Sequence, residues 1–194
     1  MRRQNTVACC LFTNRSSTNF PDTPMLTSVT NSLKGSATFD VSSRYRYCLT
    51  RSWTTDEDNT HQVAFIMLNP SKANAEQDDP SIRACSQFAQ RWGYTQLTVV
   101  NLFAYCTAHP AMLEQIEDPI GPENDQYVTG AVKLADTVIL AWGNQGILLN
   151  RDQAVISLIN SYQHKLYCLK RNRTGQPCHP LYIKRKTVPF VWSA

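Results

Sequence analysis

The chain has 194 residues, 42% hydrophobic and 18% charged, with a formal net charge of +4; that size supports one domain with a substantial core, and that composition fits an ordinary globular protein. No apolar run reaches the roughly 18 residues of a membrane-spanning helix, and the start "MRRQNTVACCLF" has too short an apolar stretch for a secretory signal. The seven cysteines form no CxxC pair, which argues against zinc and iron–sulfur sites and leaves reduced thiols in a cytoplasm as the expectation.

Residues 1–30 are rich in Ser, Thr and Asn, with Pro21 and Pro24 and little periodicity, and read as a flexible leader to one domain over 31–194. "SATFD" and "RYRYCLTRSW" read as the two strands of a hairpin. From Val63 a rhythm sets in. The apolar run "VAFIML" precedes the helical stretch "DPSIRACSQFAQRWG", which Asp79 or Ser81 can cap, with Pro80 in its first turn and Gly93 at its end. "LTVVNLF" is a second run, and "GPENDQYVTGAVKLA" a second helix with acids in its first turn. "TVILAWG", the helix "RDQAVISLINSY" and the run "KLYCLK" complete the series. Strand alternating with helix predicts parallel pairing with right-handed crossovers, and unbroken apolar strands predict a sheet covered on both faces. The expected fold is α/β: a three-layer α/β/α sandwich with a four-stranded parallel central sheet and an N-terminal β-hairpin.

Charge is unevenly placed. After Asp152 no Asp or Glu follows, whereas Lys165, Lys170, Arg171, Arg173, Lys184, Arg185 and Lys186 do. A region of one sign attracts polyanions. In open parallel sheets ligands bind beyond the carboxyl ends of the strands. Here those ends read "NPSKANAEQDD", "NLFAY", "WGNQG" and "KRNRTGQPCHPLY". They offer Asn69, Ser71, Asn101, Asn144, Gln145 and His179. There is no glycine-rich phosphate loop. Asp78 and Asp79 are adjacent and point apart, a poor acid/base pair. An amide-rich set suits the hydrogen-bonding edge of a base, and a His near a basic tail suits charge developing on it.

The order of these motifs resembles the uracil-DNA glycosylase superfamily. "MLNPS" resembles its first motif, GQDPY or GINPG, and "CHPLY" resembles its second, HPSPL. "FAQRWGYTQLTVVNLFAY" and "ADTVILAWGNQG" are similar to the segments that end in its base-reading Asn and in Trp-Gly. Residues from about 35 to 192 are also similar to an uncharacterised bacterial and phage branch carrying "MLNPS", "DDP", "WGN" and "HPLY". The resemblance implies a monofunctional DNA glycosylase without metal or cofactor. It implies that Asn69 positions the attacking water, His179 bonds the departing base and Asn101 reads its edge. Leu181 or Tyr182 would fill the gap in the DNA, and Lys72, Lys184 and Arg185 would meet its phosphates. The second proline of HPSPL is missing here, and Leu68 stands where GINPG has a different residue.

Ser71 takes the place of a Tyr that crowds the pyrimidine 5-position in the uracil-specific branch. A small hydroxyl leaves room there, and Ser71, Asp78, Asp79, Asn101 and Asn144 are expected to line the base site. A bulky 5-substituted pyrimidine, such as glucosylated 5-hydroxymethylcytosine of phage DNA, would fit. The alternatives are a uracil or mismatch glycosylase, a non-catalytic nucleic-acid-binding module on the same fold, and a hydrolase of free nucleosides or nucleotides.

Overall fold

A computed structural model describes residues 34–56 and 60–193; the expected leader, residues 1–30, lies outside the described residues. Over these residues the protein is a mixed α/β structure around one sheet of seven strands in the order β1-β2-β4-β3-β5-β6-β7. The strands are β1 (Lys34–Phe39), β2 (Arg46–Ser52), β3 (Gln62–Met67), β4 (Gln96–Asn101), β5 (Thr137–Leu140), β6 (Leu166–Cys168) and β7 (Phe190–Val191). The helices are α1 (Pro80–Arg91), α2 (Asn124–Leu134) and α3 (Arg151–Leu158).

The sheet has more strands than the four-stranded parallel sheet expected: seven among the described residues. β4, β3, β5 and β6 pair in parallel. The hairpin does not stand apart, because β2 pairs antiparallel with β4 from Leu49↔Val99 to Ser52↔Gln96 and carries β1 into the same sheet. At the other edge β7 pairs antiparallel with β6 through two residues, too few to show a period in sequence.

Period two in β3 sends side chains to opposite faces. Ala64, Ile66 and Leu68 pack into one buried cluster with Val128 and Val132 of α2 and Val155 of α3. Val63, Phe65 and Met67 pack into the other with Ile82, Cys85 and Phe88 of α1. α1 starts where Asp79 Oδ1 accepts the amide of Ile82 at 2.9 Å, with Pro80 in the first turn. It stops at Gly93, whose φ is +81°. Among the described residues no helix is long and apolar enough to cross a membrane.

The long loop from β3 to α1 is latched to the hairpin by Arg51, whose side chain is 2% exposed. Its Nε and Nη2 donate to Asp78 Oδ1 at 2.9 and 2.6 Å. Nη2 also donates to the Asn74 carbonyl at 2.7 Å, and Nη1 to that of Thr50 at 2.8 Å. Gly35 lets β1 come this close, since a Cβ there would lie 2.4 Å from the Ala75 carbonyl oxygen. Removing the carboxylate would leave a buried guanidinium short of its counter-charge. Asp78→Ala is therefore expected to lower stability by roughly 2–4 kcal/mol, read as a fall in the urea unfolding midpoint; an unchanged midpoint would show that the latch contributes nothing.

Candidate active site

At the carboxyl ends of β3, β4 and β5 lies a cavity of about 500 Å³, the place where open parallel sheets hold ligands. Of the residues expected at the site, Asn69, Ser71, Asp79, Asn101, Asn144, His179, Leu181 and Tyr182 line it. A larger trough of about 1050 Å³ runs between β2 and α2, and none of the expected site residues reaches it.

Asn69 is fixed at one end. Its Nδ2 donates to the carbonyls of Pro70 and Thr107 at 2.9 and 2.8 Å, so the amide plane is set and Oδ1 remains as the acceptor at the cavity wall. His179 opens a 3₁₀ turn over Pro180–Tyr182, and its Nδ1 accepts the Leu181 amide at 3.3 Å. With Nδ1 accepting, the neutral ring carries its proton on Nε2. Burial pushes the His179 pKa below its ordinary value of 6.5, while the charge of Asp79 opposes this.

The loop "WGNQG" closes one wall. Gly143 turns with φ +76°, and its amide donates to the Pro177 carbonyl at 2.8 Å. Gly146 passes so near the Trp142 ring that a Cβ would lie 2.1 Å from Cδ1. Trp142 Nε1 donates to Gln176 Oε1 at 2.6 Å, and Gln176 Nε2 to Asp152 Oδ2 at 2.7 Å. Asn144 Oδ1 accepts from Asn172 Nδ2 and Thr174 Oγ1 at 2.8 and 2.7 Å. Ser71 is exposed at the mouth, and Tyr182 stands 83% exposed beside His179.

Four expected site residues lie elsewhere. Asp78 is the partner of Arg51 and does not line the cavity. Lys72 and Lys184 are exposed and do not line it. Arg185 is a brace: Nε donates to Gln87 Oε1 at 2.6 Å, Nη1 to the carbonyls of Pro180 and Ile183, and the guanidinium sits 5.3 Å from the centre of the Phe88 ring. Among the described residues no group of His, Cys, Asp or Glu is placed to hold a metal ion.

Arg46 is the residue that sequence reasoning missed. It lies in the cavity wall at 2% exposure. Its signal was faint: alternation in "RYRY" would put Arg44 and Arg46 on one face, and they differ only because β2 begins at Arg46, which is buried, while Arg44 stays in the exposed bend before it.

The chain belongs to the family described as "Protein of unknown function (DUF1643)", matched over residues 46–181. No uracil-DNA glycosylase family is found, and the resemblance to that superfamily is corrected accordingly. The motifs that carried it are a few polar residues at strand ends. Any parallel sheet with a polar site at that edge places such residues there. No curated protein and no solved structure matches the chain.

Folding favours the neutral His179 ring. Its contribution to stability is whole above the unfolded-state value near 6.5 and is lost as pH falls through the lower folded-state value. The ring is expected to titrate below 6.5 by NMR. Asp79→Asn, which keeps the helix cap, should lower the midpoint further, because the opposing charge is gone. A midpoint at or above 6.5 would contradict the burial argument.

Proposed function

We propose that this protein is a DNA glycosylase: the strand-end cavity takes a modified pyrimidine flipped out of DNA and hydrolyses its N-glycosidic bond, leaving an abasic site. In this reading the frame is a three-layer α/β/α sandwich whose four parallel strands end at the cavity. The observation that carries the proposal is that Asn69 and His179 line the same cavity. Asn69, anchored through Nδ2, presents only Oδ1, an acceptor for a water. His179, engaged through Nδ1, presents Nε2–H, a donor toward the base.

That pairing suits a bond that breaks ahead of attack. The sugar gains oxocarbenium character, so the water needs orientation more than deprotonation, and a neutral amide can supply it. Charge gathers on the departing base, where a fixed donor lowers its energy. Base flipping is required because the bond is shielded in the stack. Tyr182, exposed at the rim, is suited to fill the gap. Lys170, Arg173, Lys184 and Lys186, all exposed, are suited to phosphates.

Ser71 supports a bulky base. It is small, and it sits at the mouth rather than on the floor, so a 5-substituent beside it would run toward solvent. A glucosylated 5-hydroxymethylcytosine of phage DNA fits that description, which would make the enzyme one of anti-phage defence.

Asn69→Ala should abolish base release from DNA carrying the right base while leaving DNA binding within a few-fold, since water positioning is lost and phosphate contacts are not. Alkali-labile abasic sites and released base are the readout; full activity in the folded variant would falsify the assignment. Ser71→Tyr should shift substrate ratio rather than total activity, because overpacking beside C5 costs roughly 1–3 kcal/mol for a bulky substituent and little for hydrogen. Equal loss on uracil and on 5-substituted bases would reduce Ser71 to a turn residue.

A further inference from the structure

The described structure contains three buried arginines, and they are not equally satisfied. Arg51 has the Asp78 carboxylate and two carbonyls. Arg151 has the Asp125 carboxylate and the Leu102 carbonyl. Arg46, 2% exposed, makes one side-chain hydrogen bond among the described residues, from Nη1 to the Ala73 carbonyl at 2.8 Å. Its Nε is buried without a partner. Among the described residues no ion pair involves it. Asp79 acts on it from farther away and is engaged in capping α1. Cys106 and Cys48 are the neighbouring thiols, and burial pushes both away from the thiolate that could neutralise the guanidinium.

A second orphan belongs to another residue of the same cavity lining. Asn101 is 1% exposed and its Nδ2 has no partner. Both unsatisfied atoms are donors, and both residues line the cavity that Asn69 and His179 also line. Leaving a buried donor unpaired costs the full desolvation of that group, and for a guanidinium the cost is larger. A ligand that brings electron pairs and negative charge to this floor removes both penalties at once.

We propose that Arg46 and Asn101 form an anion-binding floor that holds the departing base as an anion, making Arg46 a catalytic residue of the reaction proposed above, on which this inference rests. As the bond from C1′ to the ring nitrogen breaks, its electron pair passes to the base and spreads over the ring nitrogens and the exocyclic carbonyl oxygen. The Arg46 guanidinium and the Asn101 amide receive that charge. Water, held by Asn69, forms the new bond from its oxygen to C1′. Its surplus proton leaves to solvent, and the base is protonated from solvent once released. The neutral base in the ground state gains less from a guanidinium than the anion does, so the floor favours the transition state over the substrate.

The test separates the floor from the chemistry. Binding of three probes to the full chain is measured by calorimetry at neutral pH: uracil, which is neutral; 5-nitrouracil, which is largely anionic; and inorganic phosphate. The parent is expected to prefer the nitrouracil anion over uracil. That preference should fall at least ~10-fold in Arg46→Gln, the scale of a hydrogen bond to a charged group, and survive in part in Arg46→Lys, which keeps the charge. Asn101→Asp, of the same size and opposite polarity, should abolish it without unfolding the chain. If Arg46→Gln does not fold, Asn101→Asp and the parent's probe preference decide alone. Equal binding of neutral and anionic uracils overturns the proposal, and so does capture of phosphate with no uracil anion bound, which would assign the floor to a nucleotide phosphate. Anion preference that depends on Arg46, with no base released from any DNA, would sink the glycosylase reading and the catalytic role of Arg46 while leaving the anion floor in place.

Discussion

The register of β3 between β4 and β5 is the constraint on which the cavity depends. Met67 pairs with Asn101 and Ile66 with Leu140, and the pattern continues past the strand ends. The Leu102 and Phe103 amides donate to the Met67 and Leu68 carbonyls, and the Ala141 amide to that of Ile66, each at 2.9 Å. Asn69, Asn101 and Trp142 therefore arrive at one level. A slip of one residue would turn each side chain to the opposite face, moving Asn101 into an apolar cluster and an apolar neighbour into the cavity. The two cores, one on each face of the sheet, resist that slip, because Ile66 and Phe65 would have to exchange helices.

Beyond the register, the end of β4 is pinned by groups that never touch the cavity. Asn124 Nδ2 donates to the carbonyls of Asn101 and Leu102 at 3.0 and 2.9 Å. Arg151 Nε donates to the Leu102 carbonyl at 2.9 Å. The backbone of the strand end is thus satisfied from the α2 and α3 side, while the side chain of Asn101 is left unpaired on the other. Rigidity is supplied from behind and hydrogen-bonding capacity is kept in front, an arrangement that suits preorganised sites.

Much of this was legible in the sequence, for a physical reason in each case. The strands β3, β4 and β5 announce themselves because a sheet buried on both faces needs continuous apolar runs. α1 announces itself through Asp79, Pro80 and Gly93, which act locally. Polar strand ends pointed to the cavity because the parallel fold dictates where they meet. What stayed hidden depends on partners distant in sequence. Two adjacent aspartates look alike, yet Asp79 caps α1 at the cavity while Asp78 turns back to Arg51. The acid-free tail reads as one basic field, yet Lys165 bonds the Ala135 carbonyl at 2.7 Å and Arg171 lies 4.1 Å from the centre of the Trp192 ring. Charge counting sees sign and not engagement. The seventh strand, two residues long, exists only because β6 offers an edge.

The same contrast explains why short motifs misled about kinship while pointing to the sheet edge where the cavity lies. An amide, a proline and a small hydroxyl after a buried strand follow from local demands: the strand must end, the chain must turn, and the exposed tip must be polar. Those demands fall on any parallel sheet, so meeting them says where a site sits and not from which ancestor it came. A buried arginine without a carboxylate is of another kind. No local demand creates it, since the fold elsewhere gives its buried arginines counter-charges in Asp78 and Asp125. The unsatisfied Nε of Arg46 lowers stability where it stands, and Arg46 lines the cavity that Asn69, Asn101 and His179 also line. A cost borne at that position, and not at the other two buried arginines, is the strongest physical sign that the cavity is built for a ligand rich in electron pairs.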